Sequence, residues 1–263
     1  MFSLDGHAAF ITGSTQGIGL EMAGAVSEAG ASVVLHGHVD NESAREAAAS
    51  CSDAPLITAD LSVGLPDSAT RLVAAVLEAQ PSTDLLVCNA GTYIDQPFLE
   101  MEFDVFQRTM NLNVAAQFVI VQAFARAWEA AGTAGRIILT GSINGRLAEP
   151  THVAYDTSKG AIDAMVRSLA VSLAPLNIRV NGVAPGLFVT PLTAPALDDS
   201  AARSWMELHT PNGKVPGPDV VRGTTVYLLS DAAEHVHGQM LLVDGGMSVW
   251  QQPDPPANWS ASE

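Results

Sequence analysis

The chain has 263 residues, of which 48% are hydrophobic and 15% are charged, and this balance excludes an intrinsically disordered protein. Its length suits one large α/β domain with a covered core and is short for two independent domains. Twelve basic and 28 acidic residues give a net charge of −16, which argues against nucleic acid and anionic membrane surfaces as partners.

Other bulk features narrow the class further. No apolar run approaches the ~20 residues that a membrane span requires, so we expect no membrane association. The stretch 1–7 lacks the basic start and the long apolar segment of a signal peptide, which predicts a cytoplasmic protein. Two cysteines, Cys51 and Cys88, are too few for a disulfide framework, and Cys88 lies in an apolar run that favours a buried thiol. We expect no metal site.

Short aliphatic runs alternate with alanine-rich segments of helical length, which is typical of repeated βαβ units. The predicted strands are Ala8–Thr12, Ser32–Leu35, Leu56–Thr58, Leu85–Cys88, Arg136–Thr140, Ile178–Ala184 and Met240–Val243. The predicted helices are Gly17–Ala29, Asn41–Ser50, Leu65–Ala79, Glu102–Ala130, Ala154–Leu173 and Asp219–Leu229. The pattern predicts an α/β fold over residues 1–250: a single-domain, Rossmann-type, doubly wound parallel sheet of about seven strands. Ligands of such sheets bind beyond the C-terminal strand ends.

Two segments interrupt this alternation. Residues 187–218 contain five prolines around a short helical stretch, which favours a mobile segment over a substrate cleft; an ordinary surface excursion is the alternative. Residues 251–263 form a proline-containing C-terminal tail with one aromatic residue, Trp259. The tail is either disordered or anchored through Trp259 on a neighbouring subunit.

A glycine-rich turn follows the first predicted strand and opens the first predicted helix. Its residues are Gly13, Ser14, Thr15, Gln16, Gly17, Ile18 and Gly19. Glycines let a backbone turn tightly against a pyrophosphate, and the following helix N-terminus offers free N–H groups and a partial positive charge. The turn is therefore predicted to bind a dinucleotide phosphate, although any tight βα turn can use glycine.

A tyrosine and a lysine lie four residues apart at the start of a predicted helix. The i,i+4 spacing places the phenol of Tyr155 and the ammonium of Lys159 on one face. A nearby lysine charge favours the phenolate, so the two side chains form a plausible acid–base pair. Ser142 follows the strand Arg136–Thr140, so its hydroxyl can donate to a substrate carbonyl oxygen, or it is simply a turn residue.

Together these motifs resemble the short-chain dehydrogenase/reductase family over about residues 4 to 249. The glycine turn has that family's Thr-Gly-xxx-Gly-x-Gly spacing, and Ser142, Tyr155 and Lys159 have its Ser…Tyr-xxx-Lys spacing. The resemblance implies NAD(P)-dependent hydride transfer between an alcohol and a carbonyl, in which the charge of the oxidised nicotinamide also favours the phenolate of Tyr155. It also implies a fourth catalytic residue that holds a water linked to the lysine, for which we favour Asn113 over Asn111.

The resemblance implies further cofactor contacts. They are Asp60 and Leu61 after the third strand, Asn89, Ala90 and Gly91 after the fourth, Pro185, Gly186 and Thr190 after the sixth, and the catalytic Tyr155 and Lys159 themselves. In the family the first pair meets the adenine, the second set supports the central strand and the nucleotide, and the third meets the nicotinamide carboxamide. For Asp60 the alternative is a loop carboxylate that caps a turn.

The choice of nicotinamide depends on the end of the second strand. An acidic residue there would bind the ribose 2′-OH and repel a 2′-phosphate, but the aligned position is Gly37. His38 falls where NADP-using relatives often have arginine, whereas Asp40 acts against a phosphate. We therefore favour NADP slightly over NAD.

Substrate preference is suggested by the nearest branch of the family, the gluconate 5-dehydrogenases and related sugar-acid or polyol oxidoreductases. Polar residues expected to face the cleft are Asn144, Arg146, Glu149, His152 and Arg203. Of these, Arg146 or Arg203 would pair with the carboxylate of a sugar acid, or each is a solvated surface residue.

Two other functions stay open. Reduction of 3-oxoacyl groups on acyl carrier protein would need basic docking residues, whereas Thr133 and Leu176 occupy the aligned positions in this acidic chain. A non-catalytic dinucleotide-binding protein would be expected to have a broken Ser/Tyr/Lys set, and here that set is intact. The family resemblance further implies a homo-oligomer, commonly a homotetramer, with a dimer as the alternative.

Overall fold

The computed structural model describes residues 1–250, which form a seven-stranded parallel sheet. The strands are β1 (Ala8–Ile11), β2 (Ser32–Gly37), β3 (Leu56–Thr58), β4 (Leu85–Cys88), β5 (Arg136–Thr140), β6 (Arg179–Pro185) and β7 (Met240–Val243). Their order across the sheet is β3-β2-β1-β4-β5-β6-β7, and every neighbouring pair is parallel. The predicted doubly wound sheet is confirmed, with its switch in winding direction between β1 and β4.

Helices cover both faces of the sheet. They are α1 (Gly17–Glu28), α2 (Glu42–Ser50), α3 (Asp67–Ala79), α4 (Phe103–Met110), α5 (Ala116–Ala131), α6 (Val153–Leu173), α7 (Ala194–Leu197), α8 (Ser200–Leu208) and α9 (Arg222–Leu229). One apolar layer joins α1, α2 and α9 to the sheet, and a second joins α3, α5 and α6. Burial from both sides explains why β1 and β4 are continuous apolar runs without alternation.

The predicted helix Glu102–Ala130 is present over residues 103–131, but it contains an irregularity that the sequence pattern did not predict. A π-helical turn, Asn111–Ala115, separates α4 from α5. Inside this turn the side chain of Asn113 is fully buried and bonds both the N–H and the C=O of Thr92. The extra residue that a π-turn inserts rotates this one side chain inward, and π-turns of this kind are frequent at functional sites.

Smaller boundary shifts have local causes. Asn41 caps α2 by accepting a hydrogen bond from the N–H of Ala44, so the helix begins one residue later than predicted. A 3₁₀ turn, Pro218–Val221, precedes α9. The segment 187–218 contains α7 and α8, and Trp259 lies outside the described residues. None of the helices between residues 1 and 250 combines the length and apolar character needed to cross a membrane.

Candidate active site

A cavity of about 500 Å³ opens at the C-terminal ends of the strands, where a doubly wound sheet binds its ligands. It brings together most of the predicted site residues: Gly13, Thr15, Gln16, Gly17, Ile18, His38, Asp60, Leu61, Asn89, Ala90, Gly91, Ser142, Tyr155, Lys159, Pro185, Gly186 and Thr190. Of the predicted cofactor and catalytic residues, Ser14, Gly19 and Asn113 are buried and do not line it.

The glycine-rich turn is shaped by positions that tolerate no side chain. Gly13 and Gly17 have φ of +62° and +55°, a region that favours glycine. A Cβ on Gly19 would lie 2.2 Å from the carbonyl oxygen of Gly13. The side chain of Gln16 caps none of the first N–H groups of α1, which leaves them available to an anion. This cradle fits the pyrophosphate of a dinucleotide.

Two buried side chains hold the turn against its neighbouring strands. The Ser14 hydroxyl donates to the carbonyl of Ile11 and accepts from the N–H of His36, which extends the pairing of β1 and β2. Asn89 donates to the carbonyls of Thr12 and Gly13 from the end of β4. Ser14 therefore supports the predicted phosphate site from behind.

His36, which the sequence analysis did not select, lies buried under the same turn. Its Nδ1 accepts from the N–H of Gly13 at 3.0 Å, and its Nε2 lies 3.2 Å from the carbonyl oxygen of Ala59. This pair of partners requires the neutral ring with the proton on Nε2. Burial lowers the pKa of His36 from its ordinary value of 6.5 to about 4.

That lowered pKa predicts acid destabilisation through His36. Between about pH 6.5 and pH 4 the unfolded chain binds the proton that the folded chain excludes, so stability is full above this window and falls as the pH falls. His36→Asn keeps an acceptor for Gly13 but does not titrate. In urea unfolding at pH 7.5 and pH 5, we expect wild type to lose about 2 kcal/mol more than the variant. Equal losses would contradict the assignment.

The end of β2 forms the side of the cavity expected to meet the adenosine ribose. A Cβ on Gly37 would lie 2.9 Å from Cγ2 of Thr15, so this space is already filled. His38 lines the cavity with its side chain 68% exposed, and its Nδ1 is 3.8 Å from Oδ1 of Asp60. Asp60 also accepts from both the N–H and the hydroxyl of Ser62, which lowers its pKa. Arg108 of α4, missed from the sequence, completes this wall.

Tyr155, Lys159 and Ser142 meet at the ends of β5 and α6. The ammonium of Lys159 donates to the carbonyl of Thr140 at 2.9 Å and lies 5.5 Å from the centre of the Tyr155 ring. Ser142 accepts from the N–H of Asn144, which leaves the hydroxyl proton of Ser142 free to point at Tyr155 or a substrate oxygen.

The charge states in this group follow from burial. Burial lowers the pKa of Lys159 to about 8. Burial raises the pKa of Tyr155, and the hydrogen bond from Ser142 partly offsets this rise. Without the cofactor, burial therefore favours the protonated tyrosine, which can donate a proton to a forming alkoxide. The phenolate expected from the sequence depends also on the charge of a bound oxidised nicotinamide and stays a prediction.

Asn111 and Asn113, the two candidates for the fourth catalytic residue, have different partners in the structure. Asn113 bonds Thr92 and donates to the hydroxyl of Ser158, which itself donates to the carbonyl of Tyr155. Asn111 instead accepts from the side chain of Gln107. Asn113 is therefore the one tied to the helix that carries Tyr155, and its link to Lys159 through a water stays a prediction.

Three of the predicted substrate residues belong to one polar network beside Tyr155. Asn144 donates to Glu149 at 3.1 Å and to Asp156 at 2.8 Å. His152 lies between Glu149 and Tyr93, with its Nε2 2.6 Å from the Tyr93 hydroxyl. Tyr93, which the sequence analysis missed, also meets the Tyr155 ring edge to face.

The two arginines predicted to bind a substrate carboxylate lie apart from the cavity walls. Arg146 is half exposed and lies 3.7 Å from Asp163. Arg203 pairs with Glu207, four residues along α8, at 3.1 Å. Each arginine lies near a carboxylate, although Asp163 pairs more closely with Arg167 than with Arg146, and neither arginine lines the cavity.

The fold and this site define the class of protein: a nicotinamide-dependent oxidoreductase with a glycine cradle and a buried Tyr/Lys pair. A family model described as enoyl-(acyl carrier protein) reductase matches residues 13–248. The chain belongs to the short-chain dehydrogenase/reductase family, as the motifs indicated, and is an NAD(P)-dependent oxidoreductase that acts on CH–OH groups.

Several relatives with defined names cover almost the whole chain. Glucose 1-dehydrogenase of Gluconobacter oxydans (strain 621H) is 33% identical over 260 residues, which are 97% of this chain and 96% of that protein. L-rhamnose 1-dehydrogenase (NAD(P)(+)) of Azotobacter vinelandii is 35% identical over 245 residues, with 91% and 95% covered. The structure of gluconate 5-dehydrogenase from Burkholderia cenocepacia J2315 in complex with NADP and tartrate has a TM-score of 0.88 at 34% identity, with 95% and 98% covered.

Proposed function

We propose that the protein transfers a hydride between NADP(H) and a sugar, sugar acid or polyol, with Tyr155 as the acid and base. The observation that carries this proposal is the meeting of Tyr155, Ser142 and buried Lys159 at the open end of a dinucleotide cradle. The names of its relatives, which cover both aldose and gluconate dehydrogenases, support a polyhydroxy substrate.

The proposed steps divide the work among these side chains. A bound nicotinamide would supply the hydride acceptor or donor, held by the glycine-rich turn and by the loop after β6. Ser142 donates a hydrogen bond to the substrate oxygen. Tyr155 takes the hydroxyl proton when an alcohol is oxidised and returns it when a ketone is reduced, while the positive charge of Lys159 favours the phenolate in between. Asn113 fixes the helix that carries both residues.

The test is a steady-state screen of the purified protein with NAD⁺ and NADP⁺ against sugar acids, aldoses, polyols and simple secondary alcohols. Turnover on a polyhydroxy substrate is the expected result. NADPH binding without turnover on any of them would instead favour acyl-thioester reduction or the non-catalytic alternative. The acidic surface makes docking of an acidic acyl carrier protein the weaker candidate.

We also propose that NADP is preferred to NAD because of His38. No acidic side chain precedes it at Gly37, and its ring is exposed at the cavity wall expected to meet the ribose 2′-phosphate. Asp60 and Asp40 lie on the same side, so the preference is expected to be modest. Solved relatives with bound NADP support this cofactor.

The His38→Ala variant tests this preference. We expect kcat/KM with NADP⁺ to fall about tenfold, the size of one charge-assisted hydrogen bond, and kcat/KM with NAD⁺ to stay constant. His235→Ala, an exposed histidine outside the cavity, is the matched control. An equal effect on both cofactors, or none on either, would assign the preference elsewhere, with Arg108 the next candidate.

A homo-oligomer, either a tetramer or a dimer, belongs to the same proposal. Large apolar side chains are exposed in α4, in α5 and just before α4, among them Phe98, Leu99, Phe103 and Phe118. Exposed apolar side chains in this number support a subunit interface. A cytoplasmic location stays a prediction of the sequence.

A further inference from the structure

A chain of polar side chains beside Tyr155 is not used by the proposed acid–base chemistry. The Tyr93 hydroxyl lies 2.6 Å from Nε2 of His152, and Nδ1 of His152 lies 3.2 Å from Oε1 of Glu149. That same Oε1 accepts from the amide of Asn144. The Tyr93 and Tyr155 rings meet edge to face with their centres 5.5 Å apart. Tyr93 therefore lies directly beside the Tyr155 ring, one residue after Thr92 of the cavity wall.

The carboxylate of Glu149 favours one tautomer of the His152 ring. Nδ1 makes no hydrogen bond of good geometry, but a lone pair there would face Oε1 of Glu149 at 3.2 Å, so the tautomer with its proton on Nδ1 is favoured. Nε2 then accepts the hydroxyl proton of Tyr93. Burial raises the pKa of Tyr93 to about 12, so the hydroxyl keeps that proton. The remaining lone pair of its oxygen is an acceptor, which matches a substrate hydroxyl and not a carboxylate.

The charges around the substrate end of the cavity also favour a substrate without a carboxylate. All twelve lysine and arginine residues lie within the described chain, and among them only Lys159 and Arg108 line the cavity. Lys159 donates to Thr140, and Arg108 lies on the wall with Asp60 at the opposite end. Beside Tyr93 stand the carboxylates of Asp95, Glu149 and Asp156.

We propose that the substrate is an uncharged polyhydroxy compound, an aldose or an alditol, whose hydroxyl next to the reacting carbon donates to Tyr93, and that aldonate anions are poor substrates. This inference rests on the proposed function and narrows it to one charge class. Glu149 and His152 act as positioning residues, because they orient the Tyr93 hydroxyl without touching the reacting atoms.

Substrates matched in carbon skeleton and different in charge test the proposal. With the wild-type protein and NADP⁺ at pH 8, we expect kcat/KM for D-glucose or D-glucitol to exceed that for D-gluconate at least tenfold. A kcat/KM for D-gluconate equal to or above both neutral compounds would overturn this inference and leave the proposed function intact. Turnover of none of the three, nor of any other polyhydroxy compound, would overturn both.

Tyr93→Phe separates hydrogen bonding from a merely structural role. We expect KM for 2,3-butanediol to rise about tenfold with little change in kcat, while KM for 2-butanol, which lacks the neighbouring hydroxyl, stays within twofold. An equal change for the two alcohols would assign Tyr93 a structural role only and overturn the proposal.

Glu149→Gln removes the charge at the end of the chain. We expect the ratio of kcat/KM for D-gluconate to that for D-glucitol to rise about fivefold. Glu129→Gln, an exposed carboxylate near the end of α5, is the matched control and should leave this ratio unchanged. A ratio that is the same in wild type and both variants would overturn the charge argument.

Discussion

Tyr155→Phe is expected to lower kcat by about 10³-fold while the dissociation constant for NADPH stays within about twofold of wild type. The variant keeps the buried ring and its contact with Tyr93 but removes the group that exchanges the substrate proton, and general acid–base groups contribute about 10² to 10⁴ in rate. Stopped-flow turnover and fluorescence titration with NADPH measure the two quantities. Retention of more than a tenth of the wild-type rate would assign the proton to another group.

The dependence of kcat/KM on pH gives the same residue a second readout. Ser142 lowers the pKa of Tyr155 against the effect of burial, so Ser142→Ala removes a group that stabilises the phenolate. Alcohol oxidation needs the phenolate, so its rate rises with pH through the pKa of Tyr155. In Ser142→Ala, the increase in kcat/KM with pH should occur at higher pH, and its maximum value should be lower than in wild type. A lower maximum kcat/KM with an unchanged pH midpoint would mean that Ser142 contacts the substrate without lowering the pKa of Tyr155.

Gly19→Ala is expected to abolish dinucleotide binding and to lower the free energy of unfolding by about 3 kcal/mol. The new Cβ would lie 2.2 Å from the carbonyl oxygen of Gly13 and 2.5 Å from Nδ2 of Asn89. Nδ2 of Asn89 donates to this oxygen and also to the carbonyl of Thr12, so neither atom moves alone. The turn must therefore move as a whole. Urea unfolding and NADPH titration measure the two effects.

Gly223→Ala is the matched control for that substitution. Gly223 lies in α9, and nothing is within 4 Å of a Cβ built there. Alanine is therefore expected to stabilise the helix by about 0.5–1 kcal/mol and to leave NADPH binding unchanged. If Gly19→Ala and Gly223→Ala had the same effects on the free energy of unfolding and on NADPH binding, the close approach of Gly19 to Gly13 and Asn89 would be contradicted.

The fold could be predicted because its strands are buried on both faces. β1, β4 and β5 appear in the sequence as short continuous apolar runs between helical segments, and that arrangement admits few topologies. The π-turn at Asn111–Ala115 could not be predicted, since apolar periodicity continues through it. Its cause is the pairing of Asn113 with Thr92, two residues that are 21 positions apart.

Most of the candidate site was predicted from local motifs, whereas the residues that were not predicted are placed there by contacts distant in sequence. Tyr93 was not predicted because its partner, His152, is 59 positions away and no spacing rule links the two residues. In the pair of histidines after Leu35, the sequence drew attention to exposed His38, whereas burial under the glycine turn makes His36 the structural one. The roles of Arg146 and Arg203 depended on exposure and on ion pairs, which only the structure shows.

The close contact between Thr15 and the vacant side-chain position of Gly37 constrains how this cofactor site can evolve. An acidic residue at 37, the change that would favour NAD, begins with a Cβ only 2.9 Å from Cγ2 of Thr15. Thr15 must leave its rotamer or be replaced before the acid fits. The two positions are therefore coupled: the effect of an acidic residue at 37 on cofactor choice depends on the side chain and rotamer at position 15 of the phosphate turn.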